Sequence, residues 1–279
     1  MQKTFSYNGS IISYRVEGTG KPVVLLHGFG EDSNIFNHQI NFLQQHCLLI
    51  IPDIPGSGKS EMLQVTSYKK PVTSNQHPAT FISIDDYAKC IHALLQHENI
   101  SQYILLGHSM GGYITLAFAE MFPQLLTAFG FIHSTAFADS EEKKQNRQRG
   151  IELIEEYGSY SFLKTTSPNL FSKQYKEAFP KKVASLIEEG KQFSKKALQQ
   201  YYTAMMNRPD RTNVLKSNPL PVLFVIGKED VAAPLNDLLQ QIHLPQYSYI
   251  YILENVGHMS MWEATEKLNT YLLNFISST

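Results

Sequence analysis

The chain reads as an α/β protein: a mostly parallel sheet opened by an antiparallel hairpin, with helices on both faces and one helical insertion. Three observations predict this. Short continuous apolar runs recur at Pro22–Leu26, Cys47–Ile51, Tyr103–Leu106, Phe129–Ile132, Val222–Ile226 and Tyr247–Leu253, as strands covered on both faces require. Amphipathic helical sequence separates many of these runs, and strands alternating with helices argue for a parallel sheet. From Ser134 to Ser217 the alternation stops and only polar and amphipathic helical sequence remains. That is too long for an ordinary loop.

In order along the chain, Phe5–Tyr7 and Ile11–Val16 alternate in polarity around Asn8-Gly9, a hairpin signal. Helices are expected at Ile84–Gln96, with Asp85 and Asp86 in its first turn, and at Gly111–Met121, which Pro123 terminates. Within the insertion, helices are expected at Glu141–Tyr157, Pro180–Glu189 and Ser194–Asn207, and Met261–Phe275 closes the chain as a single helix. Ser60–Ile82, carrying Pro71 and Pro78, reads as a long loop. The expected organisation is a core of residues 1–133 and 218–279 interrupted by a helical insertion at 134–217.

The chain has 279 residues, enough to bury a full core without staples. Its 24 Lys and Arg against 25 Asp and Glu give a net charge of −1, so no basic field exists for nucleic acid or an anionic membrane. No run of apolar residues is long enough to span a bilayer. Cys47 and Cys90 match no metal-ligand spacing and read as buried hydrophobes in a reducing compartment. The N-terminal stretch has no signal-peptide pattern. A cytoplasmic location is therefore expected. With no H-E-x-x-H pattern or Cys/His cluster, neither metal nor cofactor is implied.

The residues that carry chemistry begin with Gly107-His108-Ser109-Met110-Gly111. This is a G-x-S-x-G string between an apolar strand and an apolar helix, the setting in which a sharp turn exposes a serine oxygen. A serine needs a base, and the base an orienting carboxylate. Downstream lie His133, His243 and His258. Only His258 sits on a loop after the last strand, where it can reach over the sheet edge. Asp230 follows Val222–Ile226 closely, with Glu229 and Glu254 as competitors.

Gly56-Ser57-Gly58-Lys59-Ser60 imitates the end of a phosphate-binding loop, but Asp53 stands where that pattern needs glycine. Arg208-Pro209-Asp210-Arg211 reads as a charge-paired hinge between insertion and core, in preference to a site for an acidic substrate.

Taken together, His27-Gly28-Phe29-Gly30, Pro52-Asp53-Ile54-Pro55-Gly56-Ser57-Gly58-Lys59-Ser60, the serine turn and the Asp230/His258 pair resemble the α/β-hydrolases. Within them the chain looks like the subfamily with a helical cap, which includes esterases, enol-lactonases and carbon–carbon bond hydrolases. The resemblance implies the α/β-hydrolase fold, Ser109 as nucleophile, His258 as base and Asp230 as acid. It also implies an oxyanion hole from the backbone N–H groups of Phe29 and Met110, whose side chains are expected as acyl-pocket walls. His27 and His108 are expected to be structural. Phe29, His133, Tyr202 and Met206 are the expected substrate contacts, and a small or medium, largely apolar carboxylic ester or lactone is the expected substrate. Carbon–carbon, amide, thioester or perhydrolysis chemistry on the same residues, or ligand binding without turnover, remain the rivals.

Overall fold

The computed structural model describes residues 1–64 and 81–279. Most of the segment read as a long loop therefore lies outside the described residues. Strands β1 (Gln2–Tyr7) and β2 (Ser10–Glu17) pair antiparallel. The turn between them places Asn8 at φ 48° and Gly9 at φ 82°, the left-handed pair that a two-residue hairpin requires. The remaining strands are β3 (Pro22–Leu26), β4 (Leu48–Pro52), β5 (Tyr103–His108), β6 (Leu126–Ile132), β7 (Val222–Gly227) and β8 (Ser248–Leu253). They form one eight-stranded sheet in the order β1-β2-β4-β3-β5-β6-β7-β8. β2 runs antiparallel to β4, and every later neighbouring pair is parallel.

Helices α1 (Asn37–Leu43), α2 (Ile84–His97) and α3 (Met110–Met121) belong to the first half. Successive strand residues face opposite ways, and the core divides accordingly. Val24, Leu26 and Leu105 pack with Tyr87 and Ile91 of α2 and Ile114 and Phe118 of α3. Val23, Leu25 and Leu106 pack on the opposite face with Ile40 and Leu43 of α1. Ser83 and Asp86 close a reciprocal capping box at the start of α2, worth about 1 kcal/mol. Cys47 and Cys90 are free and buried, and burial pushes their thiols up to about 11 and about 12.

Between β6 and β7 come α4 (Glu141–Tyr157), α5 (Ser159–Thr166), α6 (Lys173–Ala178), α7 (Pro180–Glu189), α8 (Lys195–Met206) and α9 (Thr212–Ser217). The short ones, α5, α6 and α9, have too few turns to leave a readable periodicity. Charges tie the two ends of this stretch to each other and its second end to the core. Asp139 accepts from Arg147 at 2.6 Å and lies 2.9 Å from Arg208. The Arg208 guanidinium also rests 3.8 Å over the Tyr113 ring of α3. Arg211 reaches Asp85 of α2 at 2.5 Å and Glu120 of α3 at 2.8 Å. After β7, α10 (Leu235–Leu239), α11 (Ser260–Glu263) and α12 (Thr265–Ser278) complete the chain. The single closing helix expected from sequence is broken at Ala264, whose φ of −141° interrupts the helical path.

Candidate active site

The register of the parallel strands decides where the site forms. Gly107 pairs with Phe131, Ile132 with Val225 and Gly227 with Leu253. The residues that follow β5, β6, β7 and β8 therefore emerge along one carboxyl edge, where open α/β sheets bind their ligands. Ser109, His133, Asp230 and His258 are four of them.

Ser109 takes φ 51° and ψ −117° between β5 and α3, a strained conformation for a residue with a side chain, costing about 1–3 kcal/mol. The strain is held by packing. A Cβ on Gly107 would lie 2.2 Å from the Gly111 carbonyl group, and one on Gly111 would lie 2.3 Å from the Leu26 carbonyl oxygen. Both glycines of the string are thus required by close backbone approach. Ser109 N–H donates to Ile132 O at 3.0 Å, and its own carbonyl accepts from Gly112 N at 2.9 Å and Ser134 Oγ at 2.7 Å.

Asp230 is fully engaged. Its Oδ1 accepts from the N–H groups of Ala232 and Ala233 at 2.8 and 2.9 Å. Its Oδ2 faces His258 Nδ1 at 2.8 Å and His133 Nδ1 at 3.1 Å. Burial alone would raise the carboxyl pKa, but the charge and bonds of the two imidazoles hold it well below the usual carboxylate range. Burial likewise opposes charge on His258, yet Asp230 outweighs it and the imidazole pKa is raised. His133 is pushed down to about 4, chiefly by burial. The ligand atoms of His133, Asp230 and His258 lie within 4.8 Å of one another; their spacing to Oδ2 is that of hydrogen bonds.

The backbone of His258 is clamped. Its N–H donates to Leu170 O at 2.6 Å, and its carbonyl accepts from His108 Nε2 at 2.9 Å. His108 Nδ1 meets buried Glu31 at 2.9 Å. Glu263 gathers the N–H groups of Gly257, Met259 and Ser172 at 2.8 to 3.2 Å. No hydrogen bond joins Ser109 Oγ to His258, and hydrogen bonds between catalytic groups commonly tighten only when substrate is bound. The rival carboxylates lie elsewhere: Glu254 is exposed and paired with Lys228 at 2.5 Å, while exposed Glu229 accepts from Lys173 N at 3.3 Å. His243 is exposed.

His27 braces the loop after β3. Its Nε2 accepts the Ile54 N–H at 2.8 Å, which leaves Nδ1–H to donate to Gly28 O at 2.9 Å. In the glycine-rich turn, Asp53 accepts from Ser33 N and Lys59 N, both at 3.0 Å. Those N–H groups are occupied by a carboxylate within the chain, as a structural turn demands. Phe29 stacks on Tyr202 of α8 at 4.2 Å and meets Phe162 edge-on at 6.4 Å. Met206, one turn after Tyr202, is half-buried. Met110 heads α3, where its N–H lacks an intrahelical acceptor, but its side chain is wholly buried in the core and not free to wall a pocket. His133 also has no exposed surface; it stands behind Asp230. Glu31, Glu263 and the His133–Asp230 bond are features of the candidate site that the sequence reading missed.

The strand order and the serine turn define an α/β-hydrolase fold. A family model described as the α/β-hydrolase fold matches residues 21–150. A thermophilic esterase from Thermogutta terrifontis superimposes with a TM-score of 0.88 at 22% identity, covering 100% of this chain and 98% of that one. The enol-lactonase from Burkholderia xenovorans LB400 gives 0.85 at 19% identity over 99% and 100% of the two chains. Lipase 1 of Psychrobacter immobilis is 27% identical over 263 residues, 89% of this chain and 74% of its own. The chain therefore has the α/β-hydrolase fold.

Proposed function

We propose that the protein is a serine hydrolase that cleaves a small or medium, largely apolar carboxylic ester or lactone. The observation that carries this reading is the buried Asp230–His258 bond of 2.8 Å, facing the same sheet edge as the strained turn at Ser109. Ser109 Oγ attacks the carbonyl carbon while His258 Nε2 takes its proton, and Asp230 stabilises the imidazolium and fixes its tautomer. The oxyanion is received by the N–H groups of Phe29 and Met110, each worth roughly 3 kcal/mol in the tetrahedral state. The imidazolium returns the proton to the departing alkoxide. Water, deprotonated by the same imidazole, then releases the acid from Ser109.

Aromatic surface at Phe29, Phe162 and Tyr202 supports an apolar acyl group, with residues 134–217 acting as a helical cap over the site. The named lipase, esterase and lactonase relatives point to the same bond class. Free buried thiols suit a cytoplasmic enzyme, and no described helix is long and apolar enough to cross a membrane. The test is covalent labelling with a fluorophosphonate and peptide mapping, followed by rates on a panel of esters, lactones, thioesters and amides. Labelling at Ser109, abolished in Ser109→Ala, is the expected result. Label on another residue sinks the mechanism, and turnover confined to thioesters or amides reassigns the substrate.

A further inference from the structure

Among the described residues, two imidazoles share one carboxylate oxygen. His133 Nδ1 and His258 Nδ1 both converge on Asp230 Oδ2, at 3.1 and 2.8 Å. A serine–histidine–acid relay needs only the second of these bonds, and the first is made under adverse conditions. His133 takes φ 54° directly after β6, a left-handed conformation that strains a residue with a side chain. Its Nε2 is buried without a partner among the described residues. A fold that accepts a strained backbone and an orphaned nitrogen at the edge of a site points to a function for the contact obtained.

The chemistry of that contact is specific. Oδ2 is a carboxylate oxygen, so both Nδ1 atoms approach as N–H donors and His133 holds the tautomer with bare Nε2. The titratable groups facing His133 are Asp230 from the loop after β7, His258 from the loop after β8 and His108 from β5, whose rings lie 5.6 and 6.0 Å away. Burial keeps His133 neutral above about pH 4, so it acts as a fixed dipole and not as a second base. Each donor on a carboxylate stabilises the anion and draws charge from the oxygen. Less charge then remains to stabilise protonated His258.

We propose that His133 is a positioning residue that anchors Asp230 and, by sharing its oxygen, keeps His258 less basic than an unshared carboxylate would make it. The inference rests on the Ser109–His258–Asp230 reading. It predicts that removing the second donor raises the pKa of His258 and moves the acidic limb of kcat/KM upward.

The experiment compares wild type, His133→Phe and His133→Asn with an ester substrate from pH 4 to 9. Asn can donate from Nδ2 in place of the imidazole and tolerates positive φ, so its limb should stay with wild type. In His133→Phe the limb should rise by about 0.5–1 pH unit. Coincident limbs in all three active proteins would overturn the proposal. Should His133→Phe not fold, nitrogen-detected spectra of wild-type imidazoles decide it. A His133 tautomer protonated at Nδ1 supports the proposal; protonation at Nε2 refutes it. Fluorophosphonate reaction away from Ser109 instead marks failure of the underlying mechanism, whatever the His133 variants do.

Discussion

Ser134 Oγ donates to the carbonyl oxygen of Ser109 across 2.7 Å, so the residue entering the helical stretch braces the peptide unit that carries the candidate nucleophile. Ser134→Ala deletes this bond and leaves Gly112 N–H as that carbonyl's remaining partner. Stability should fall by about 0.5–1.5 kcal/mol, read from urea unfolding, with kcat lowered and KM little changed. A raised KM with unchanged kcat would show that Ser134 contacts substrate and does not brace the turn.

Asp230→Asn keeps the shape but replaces one carboxylate oxygen with an amide nitrogen, so the imidazoles can no longer both be held as donors. Activity should drop by up to about 10⁴-fold. Glu229→Gln and Glu254→Gln should change the rate less than about twofold, since both groups are exposed and their contacts are those of surface charges. Steady-state kinetics on one ester ranks the three. A ranking led by either glutamate would relocate the acid.

In the proposed mechanism His258 must be neutral to accept a proton, and its pKa lies above the ordinary 6.5. Burial works against that rise, while Asp230, Glu31 and Glu263 produce it. kcat/KM should therefore fall as pH decreases, with a midpoint above 6.5. The stability linkage has the opposite sense: the charged form is favoured in the fold, so its contribution is full below pH 6.5 and is lost as pH rises through the raised value. Rate profiles and urea midpoints measured over pH 5–9 check both directions. Activity that stays level down to pH 4 would contradict a histidine base.

Gly150 lies in the middle of α4, where a Cβ would come within 2.6 Å of the Tyr202 ring and 3.3 Å of the Phe162 ring. Gly150→Ala gains up to about 1 kcal/mol of helix propensity but forces Tyr202 to move against Phe29. Relative rates along a series of acyl-chain lengths should shift, while fluorophosphonate labelling of Ser109 continues. An unchanged series would mean that the aromatic stack holds the helices together without touching the acyl group.

Much of the sheet was legible because Pro22–Leu26, Val222–Ile226 and most of their counterparts are buried strands, and such burial writes itself as unbroken apolar sequence. The edge strand β8 is the exception, with Ile250 and Ile252 exposed. Ser109 was legible because its two glycines are compelled by backbone approach. His133 was placed among the substrate contacts because a lone histidine after an apolar strand carries no local signal. Its meeting with Asp230 depends on β6 lying beside β7 with Ile132 opposite Val225, a long-range fact. Met110 was misjudged in its side chain for a related reason: the first turn of α3 is covered all round. Glu263 escaped notice because three N–H groups converge on it only after the loop around His258 has folded.

The contact between Asp139 and Arg208 closes a long excursion of the chain. The two residues are far apart in the chain and 2.9 Å from each other, so the helices between them leave and return past an ionic contact. Closure entropy grows only slowly with loop length, by about 0.6 kcal/mol per doubling. Leu170 and Ser172 lie within this excursion and bond to His258 N–H and Glu263. Helices added or trimmed there would therefore act on the loop of the candidate base while the strands kept their register. Strand register and loop placement are thus separable: the sheet does not depend on the excursion, but the seat of His258 does.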